Sequence, residues 1–252
     1  MSIGSEEDFQ GLQTVGEAVA ITLKKMKEYA EIGMSTLELD EYGASILASY
    51  GAVSAPIKDY DFPGHTCISI NQEACHGIPA ADRILKDGDL VNIDVSAALN
   101  GYYGDNGSSF ILGNDHQNLQ PLVDASRDIL YLALENVKHR VRIQDVGGLI
   151  EKEAKKRGFK VIRNICGHGI GRRLHEAPEE IACFRDRRNR ERFKMNGVVA
   201  VETFISTEAR YVYEEDDGWT LSTMGKGFVA QQEHTLIIGD GYPTILTSMN
   251  GI

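Results

Sequence analysis

No apolar run in this chain approaches the ~18 consecutive residues that a membrane-crossing helix needs. Met1 to Gln10 is acidic, where a secretory leader would be basic and then apolar. A cytoplasmic protein without membrane attachment is the expectation. Cysteine is scarce, with only Cys67, Cys75, Cys166 and Cys183, none of them in a CxxC pair. A disulfide framework is therefore excluded in favour of reduced thiols. Positive charge is also in short supply: 26 Lys and Arg against 37 Asp and Glu leave a net charge of -11. Nucleic acid is not an expected partner, because phosphate backbones are held by clustered cations. The one basic run, Arg185 to Arg192, is interrupted by Asp186 and Glu191 and reads as a solvated loop. Proline is limited to six residues, and no Pro- or Gly-rich stretch marks a linker, so residues 1–252 are expected to form one domain.

What is present is periodicity. Phe9, Leu12, Val15, Val19, Leu23 and Met26 recur at helical steps and predict a helix from about Glu6 to Ala30. A second helix is predicted from Ser35 or Thr36, with Glu38 in its first turn, to Gly51. Short β-branched or aromatic runs predict strands at Thr66–Ile70, Leu90–Val95 and Ser108–Leu112. The order then repeats: helices from about Pro121 to His139 and Gln144 to Arg157, then strands at Val198–Ile205 and Gly227–Ile238. Asp94 follows Gly88 by six residues, and Glu202 follows Asn196 by six. Asn is the commonest non-glycine visitor to left-handed backbone, so the two segments are compatible copies. The reading is a pseudo-symmetric α+β fold, with halves at about 1–115 and 116–252 and an antiparallel sheet backed by helices.

Acids interrupt the apolar strands. Asp94 lies in Leu90–Val95, Glu202 in Val198–Ile205, and Glu233 between Ala230 and Leu236. Asp105 follows Asp94 across a turn at Asn100-Gly101 that would fold the segment into a hairpin. A buried carboxylate without a partner is costly. Any one such acid is more often a cap, a backbone acceptor or an arginine partner. Four of them, with no Lys or Arg inside the strands, point to shared metal cations. Oxygen-rich ligation suits manganese, iron or cobalt, with zinc also compatible. Histidine adds to this. His168 sits between glycines in Gly167-His168-Gly169-Ile170-Gly171, His175 follows seven residues on, and His76 stands before Gly77-Ile78-Pro79. The segment around His168 lacks the Lys-Ser/Thr ending of a P-loop and the GxGxxG of a dinucleotide site. His76 alone reads as an ordinary turn residue.

Taken together, Ser54-Ala55-Pro56, Cys67 to Asn71, His76 to Pro79, Asn92 to Val95, Tyr103-Gly104-Asp105, the glycine-flanked His168, Leu174-His175-Glu176, Glu202 and Gln232-Glu233-His234-Thr235 resemble type I methionine aminopeptidases. These are pita-bread metallopeptidases of peptidase family M24. The resemblance implies a pita-bread fold, a pseudo-twofold antiparallel sheet backed by two pairs of helices. It also implies removal of the initiator methionine from nascent polypeptides with a small second residue, by a monomeric protein working at the ribosome. Two divalent ions per chain would be held by Asp94, Asp105, His168, Glu202 and Glu233. Glu202 would also move a proton, His76 and His175 would contact the substrate amide, and Phe62, Cys67 and Trp219 would form the methionine pocket.

Three positions depart from the family pattern. Asn106-Gly107 stands where Thr or Ser usually follows the second aspartate, Thr203 replaces a proline after Glu202, and Asn196 replaces a glycine. All three bear on the groups that orient Asp105 and Glu202. Two alternatives belong beside the main reading. One is a proline-directed peptidase of the same superfamily, like prolidase or aminopeptidase P. The other is a pita-bread module that binds peptides without cutting them, although such a module would be expected to have lost ligands.

Overall fold

Ser5 opens the first helix. Its hydroxyl accepts from the Asp8 amide, and Glu6, Glu7 and Asp8 complement the positive end of the helix dipole. In the computed structural model, which describes residues 1–252, α1 runs Glu6–Tyr29. Helix α2 (Thr36–Ser49) begins with the expected capping box between Ser35 and Glu38. Strand β1 (Val53–Ser54), helix α3 (Ala55–Tyr60), β2 (Cys67–Ile70) and β3 (Glu73–Cys75) lead to the long pair β4 (Leu90–Leu99) and β5 (Tyr102–Ile111). Then come α4 (Gln120–Leu134), α5 (Ile143–Lys156), β6 (Lys160–Val161), β7 (Cys166–Gly169), β8 (Glu176–Ala182) and β9 (Val198–Ser206). Strands β10 (Tyr213–Glu214), β11 (Leu221–Ser222), β12 (Val229–Ile237) and β13 (Thr244–Ile245) complete the chain.

The main sheet runs β1-β4-β5-β12-β9-β7-β8, entirely antiparallel, and β10-β11-β3 form a small second sheet. Helix α1, with α2 against it, covers β4 and β5, while α4, with α5 against it, covers β9 and β12. Each pair buries an apolar stripe. Leu12, Val15, Val19 and Leu23 meet Val91, Ile93 and Val95 in one cluster, and Leu122, Ile129 and Ile150 meet Val199, Val201 and Ile205 in the other. Every residue of β9 and of β12 is buried, so these strands are covered on both faces. That is why β9 opens on a continuous apolar run, Val198 to Val201, and not on an alternating one. The architecture is the α+β pita-bread arrangement, with the helix pairs behind the sheet and the acids on its open face.

The boundaries that differ most from the sequence expectation are the end of α4 and the start of β5. Helix α4 stops at Leu134 and not at His139, because the Asn136 side chain turns back onto the Leu132 carbonyl at 2.9 Å and His139 docks its amide on the Gly239 carbonyl at 2.8 Å. Strand β5 begins at Tyr102 and not at Ser108, which puts Asp105 inside the ladder. Asn100 and Gly101 both have positive φ, 52° and 79°, as a two-residue hairpin turn of this twist requires. Helix α3 has no apolar periodicity to announce it; Ser54 caps it and Pro56 lies in its first turn. The Arg185–Arg192 segment is a loop whose arginines are exposed, with Asp186 turned back onto Arg188.

Asn196 has φ 59° and Gly88 has φ 89°, so the residue that replaces glycine in the second half does adopt the left-handed conformation. Its backbone is held by Ile238 and Ile3, and its side chain is exposed. Asn196→Ala should therefore cost about 1 kcal/mol of stability, while Asn196→Gly should be neutral or stabilising. Urea midpoints of the three proteins check this, and an equal loss in both variants would contradict it.

Candidate metal centre and substrate cavity

Strand register builds the floor of the site. Asp94 lies opposite Gly107 and Asp105 opposite Ser96, so the two aspartates share a face of the β4–β5 hairpin, two residues out of step. On the neighbouring pair, Glu202 lies directly across from Glu233. Like charges in that position repel. Strand β7 brings His168 opposite Ala200 of β9. It can come so close because Gly167 and Gly169 carry no Cβ: one would run into the Ala200 carbonyl of β9 and the other into the Ala177 carbonyl of β8.

Donor atoms of Asp105, His168 and Glu233 lie within 4.8 Å of one another, and all three side chains are buried. Asp94 and Glu202 fall outside that tightest group and are tied to it by Gln231. Its Nε2 donates to Glu202 Oε2 at 2.8 Å, to Asp94 Oδ2 at 3.1 Å and to Glu233 Oε2 at 3.3 Å. Asn92 donates to the Gln231 Oε1 at 2.8 Å, which fixes which way the amide points. The sequence reading missed Gln231. A glutamine two residues before Glu233 on a buried strand, and so on the same face, was the available signal.

The electrostatics follow from burial. Burial raises Asp105 and Glu233 well above the ordinary carboxylate range, and the neighbouring acids add to it. Burial likewise raises Asp94, against the Gln231 hydrogen bond. Glu202 is pushed up to about 8 by burial, opposed by Gln231 and reinforced by Asp94. His168 is lowered to about 4 by burial and by His175, so its ring is neutral at pH 7. His168 Nδ1 donates to the Gly169 carbonyl at 3.0 Å, which leaves a lone pair on Nε2, 3.7 Å from Asp105 Oδ2. Two electron-rich atoms face each other there, and the other carboxylate oxygen, Asp105 Oδ1, is buried without any partner. A divalent cation is the species that fits between them.

Every candidate ligand and substrate-contacting residue lines one cavity of about 420 Å³: Asp94, Asp105, His168, Glu202 and Glu233 from the main sheet, Cys67 beside Asp94, Phe62 and Trp219, and the more exposed His76 and His175. Phe62 and Trp219 meet edge to face, their ring centroids 5.2 Å apart. His76 lines the same cavity from a left-handed backbone at φ 56°. His175 packs on His168 with 4.2 Å between ring centroids. Tyr60, Cys75, Leu174 and Ser96 also line the cavity and were not foreseen.

The departures from the family pattern have local explanations. Gly107 leaves room for the Gln231 amide, which a Cβ at that position would overlap. Thr203 turns away from the site and bonds Ser126 of α4, hydroxyl to hydroxyl, at 2.8 Å. Asn106 donates to the Val95 carbonyl at 3.2 Å, while its own Oδ1 stays buried and unpaired.

A family model described as metallopeptidase family M24 matches residues 10–240. The chain is 45% identical over 249 residues to methionine aminopeptidase 2 of Bacillus subtilis, covering 99% of this chain and 100% of that protein. A solved methionine aminopeptidase from Thermotoga maritima superposes with a TM-score of 0.92 at 30% identity, covering 98% of this chain and 99% of the other. Prolidase from Pyrococcus furiosus gives a TM-score of 0.78 at 20% identity, and the match spans 65% of its length. At that identity the likeness speaks for the fold alone.

The raised carboxyls carry a pH signature. At pH 7 the metal-free Glu202 holds its proton, so cation binding must expel it, and affinity should rise with pH up to about 8. The same shift weakens the metal-free fold as pH rises. A folded-state pKa above the unfolded one stabilises below the unfolded value, and that stability is lost on passing the folded value. His168 and His234, both lowered to about 4, act in the opposite sense below their ordinary 6.5. The clean window is therefore pH 6.5 to about 8. There the metal-free protein should lose stability as pH rises. Calorimetric titration with a divalent cation in buffers of different ionisation enthalpy should detect released protons. Zero release at pH 7 would contradict the assignment.

Proposed function

The chain belongs to metallopeptidase family M24, and from that premise we propose that it is a methionine aminopeptidase, hydrolysing the initiator methionine from polypeptides with a small second residue. One observation carries this reading: the acid-and-imidazole cluster and the side chains of Phe62, Cys67 and Trp219 line the same cavity. Such a lining suits a flexible thioether, since sulfur and aromatic edges attract. Because every new chain starts with methionine, we place the reaction in the cytoplasm, on nascent N-termini at the ribosome, and take the protein to act as a monomer. No helix is long and apolar enough to cross a membrane.

Asp94, Asp105, His168, Glu202 and Glu233 would hold two divalent ions, cobalt, manganese, iron or zinc. When bound, these supply Lewis-acid polarisation of the scissile carbonyl and a more acidic hydrolytic water. Glu202, in its ionised form, takes a proton from the attacking water and delivers it to the leaving amine; a carboxyl pushed up to about 8 by burial is suited to both transfers near neutrality. His76 and His175, on the cavity lining, donate to the carbonyl oxygen as negative charge grows on it. Burial lowers both histidines, His76 also through His175, so each stays neutral and can donate one hydrogen. The side chain of the second residue lies against these histidines, where a bulky group clashes.

Restoring single divalent ions to chelator-stripped protein should revive cleavage of a Met-Ala-Ser peptide. Met-Leu and Met-Lys peptides should be cut little, and N-acetylated ones not at all. Mass spectrometry decides: cleavage before proline whatever the first residue would favour the proline-directed reading, and no cleavage with any of the four metals would favour a binding module.

Two variants separate the roles. Asp105→Asn should lose metal affinity and most activity. His76→Ala should lose ~10²–10³ in kcat with its metal content intact. Metal loss in His76→Ala, measured by elemental analysis, would show that the role given to His76 is wrong.

A further inference from the structure

Tyr60 is the last residue of α3, and its hydroxyl lies 2.6 Å from His175 Nδ1. We propose that Tyr60 is a positioning residue that fixes the tautomer and the aim of His175. The inference rests on the aminopeptidase reading, in which His175 donates to the substrate carbonyl oxygen.

A neutral imidazole carries one hydrogen, on either ring nitrogen. If it sits on Nδ1, the far nitrogen turns a lone pair toward the developing oxyanion and repels it. If the phenol donates to Nδ1, the hydrogen must sit on Nε2, at the opposite end of the ring, where a carbonyl oxygen in the cavity can receive it. Three observations favour the second arrangement. The Tyr60 hydroxyl has no other protein partner to donate to. A phenol is a better donor than acceptor, and the acid-lined floor favours an N–H on the cavity side. The ring of His175 is also confined, with its centroid 5.5 Å from that of Tyr60, edge on, and 4.2 Å from that of His168.

Helix α3 is a firm mount for such a device. Lys58 and Asp59, the residues just before Tyr60, both bond the hydroxyl of Tyr103 on β5, with Tyr103 donating to Asp59 at 2.9 Å. The helix then ends at Asp61, in left-handed backbone with φ 59°. Tyr60 itself is nearly half-exposed at 45%, so its replacement should leave the fold intact.

The test compares Tyr60→Phe, which keeps the ring and removes the hydroxyl, with Tyr60→Leu. Losing this hydrogen bond should lower kcat on Met-Ala-Ser about 5-fold in both variants. KM and metal content should stay near wild type. A Tyr60→Phe enzyme as fast as wild type, with only Tyr60→Leu impaired, would reduce the contact to packing and overturn the proposal. Nitrogen-15 NMR of the metal-free protein reads the tautomer without any turnover, with the His175 signals assigned by their loss in His175→Ala. Wild type should give the Nε2–H form and Tyr60→Phe a mixture. An unchanged tautomer, or Nδ1–H in the wild type, would also overturn it. Because the NMR readout needs no catalysis, an inactive wild type that still shows the tautomer shift supports the positioning role while sinking the aminopeptidase reading.

Discussion

Negative charge packed against negative charge is the constraint around which this molecule is arranged. Glu202 and Glu233 face each other across a ladder, Asp105 is buried beside them, and Asp94 closes the ring. Nothing of opposite sign reaches them from the protein; their nearest helper is the neutral amide of Gln231. The fold tolerates this because the reverse faces of the same strands are heavily apolar and held by two helix pairs. Packing behind the sheet offsets repulsion in front of it. The protein therefore keeps a site whose acids are ready to exchange protons for a cation, at some cost to its own stability.

Much of this could be read from residues alone, for a physical reason. An ionisable side chain in a strand buried on both faces is conspicuous, so Asp94, Glu202 and Glu233 stood out, and the Asn100-Gly101 turn brought Asp105 to Asp94. Apolar periodicity located α1, and capping chemistry α2, to within a residue or two. Other parts had no signature. Gln231 is polar but uncharged, and its importance lies in three distances that pattern cannot supply. Tyr60 sits on a six-residue helix too short for periodicity. The early end of α4 depends on where the loop after β12 passes, a matter of tertiary contact. His76 alone read as a turn residue, and its place in the cavity lining comes from tertiary packing.

The positions that break the family pattern are instructive for the same reason. Each has its own local role in this chain. Gly107 gives space to Gln231, Thr203 exchanges bonds with Ser126 on the helix side of the sheet, and Asn196 keeps the backbone turn that glycine would provide. Gly107 lies on the same face as Asp94 and Asp105, Thr203 on the helix side of the sheet, and Asn196 in the turn before β9.

The meeting of β5 and β12 has a consequence for newly made copies of the protein. Only Gln232 and Ser108 are in register across that seam, with Thr235 accepting from the Asp105 amide at 3.0 Å and donating to its carbonyl at 2.7 Å. Asp94 and Asp105 stand on one side of it, and His168, Glu202 and Glu233 on the other. A partly assembled chain shows the same acids to water but offers no enclosed set of donors. A cation that needs both sides would thus discriminate finished molecules from unfinished ones and draw the population toward completion by mass action. In that sense the ions would serve as inspectors of assembly before any peptide is touched.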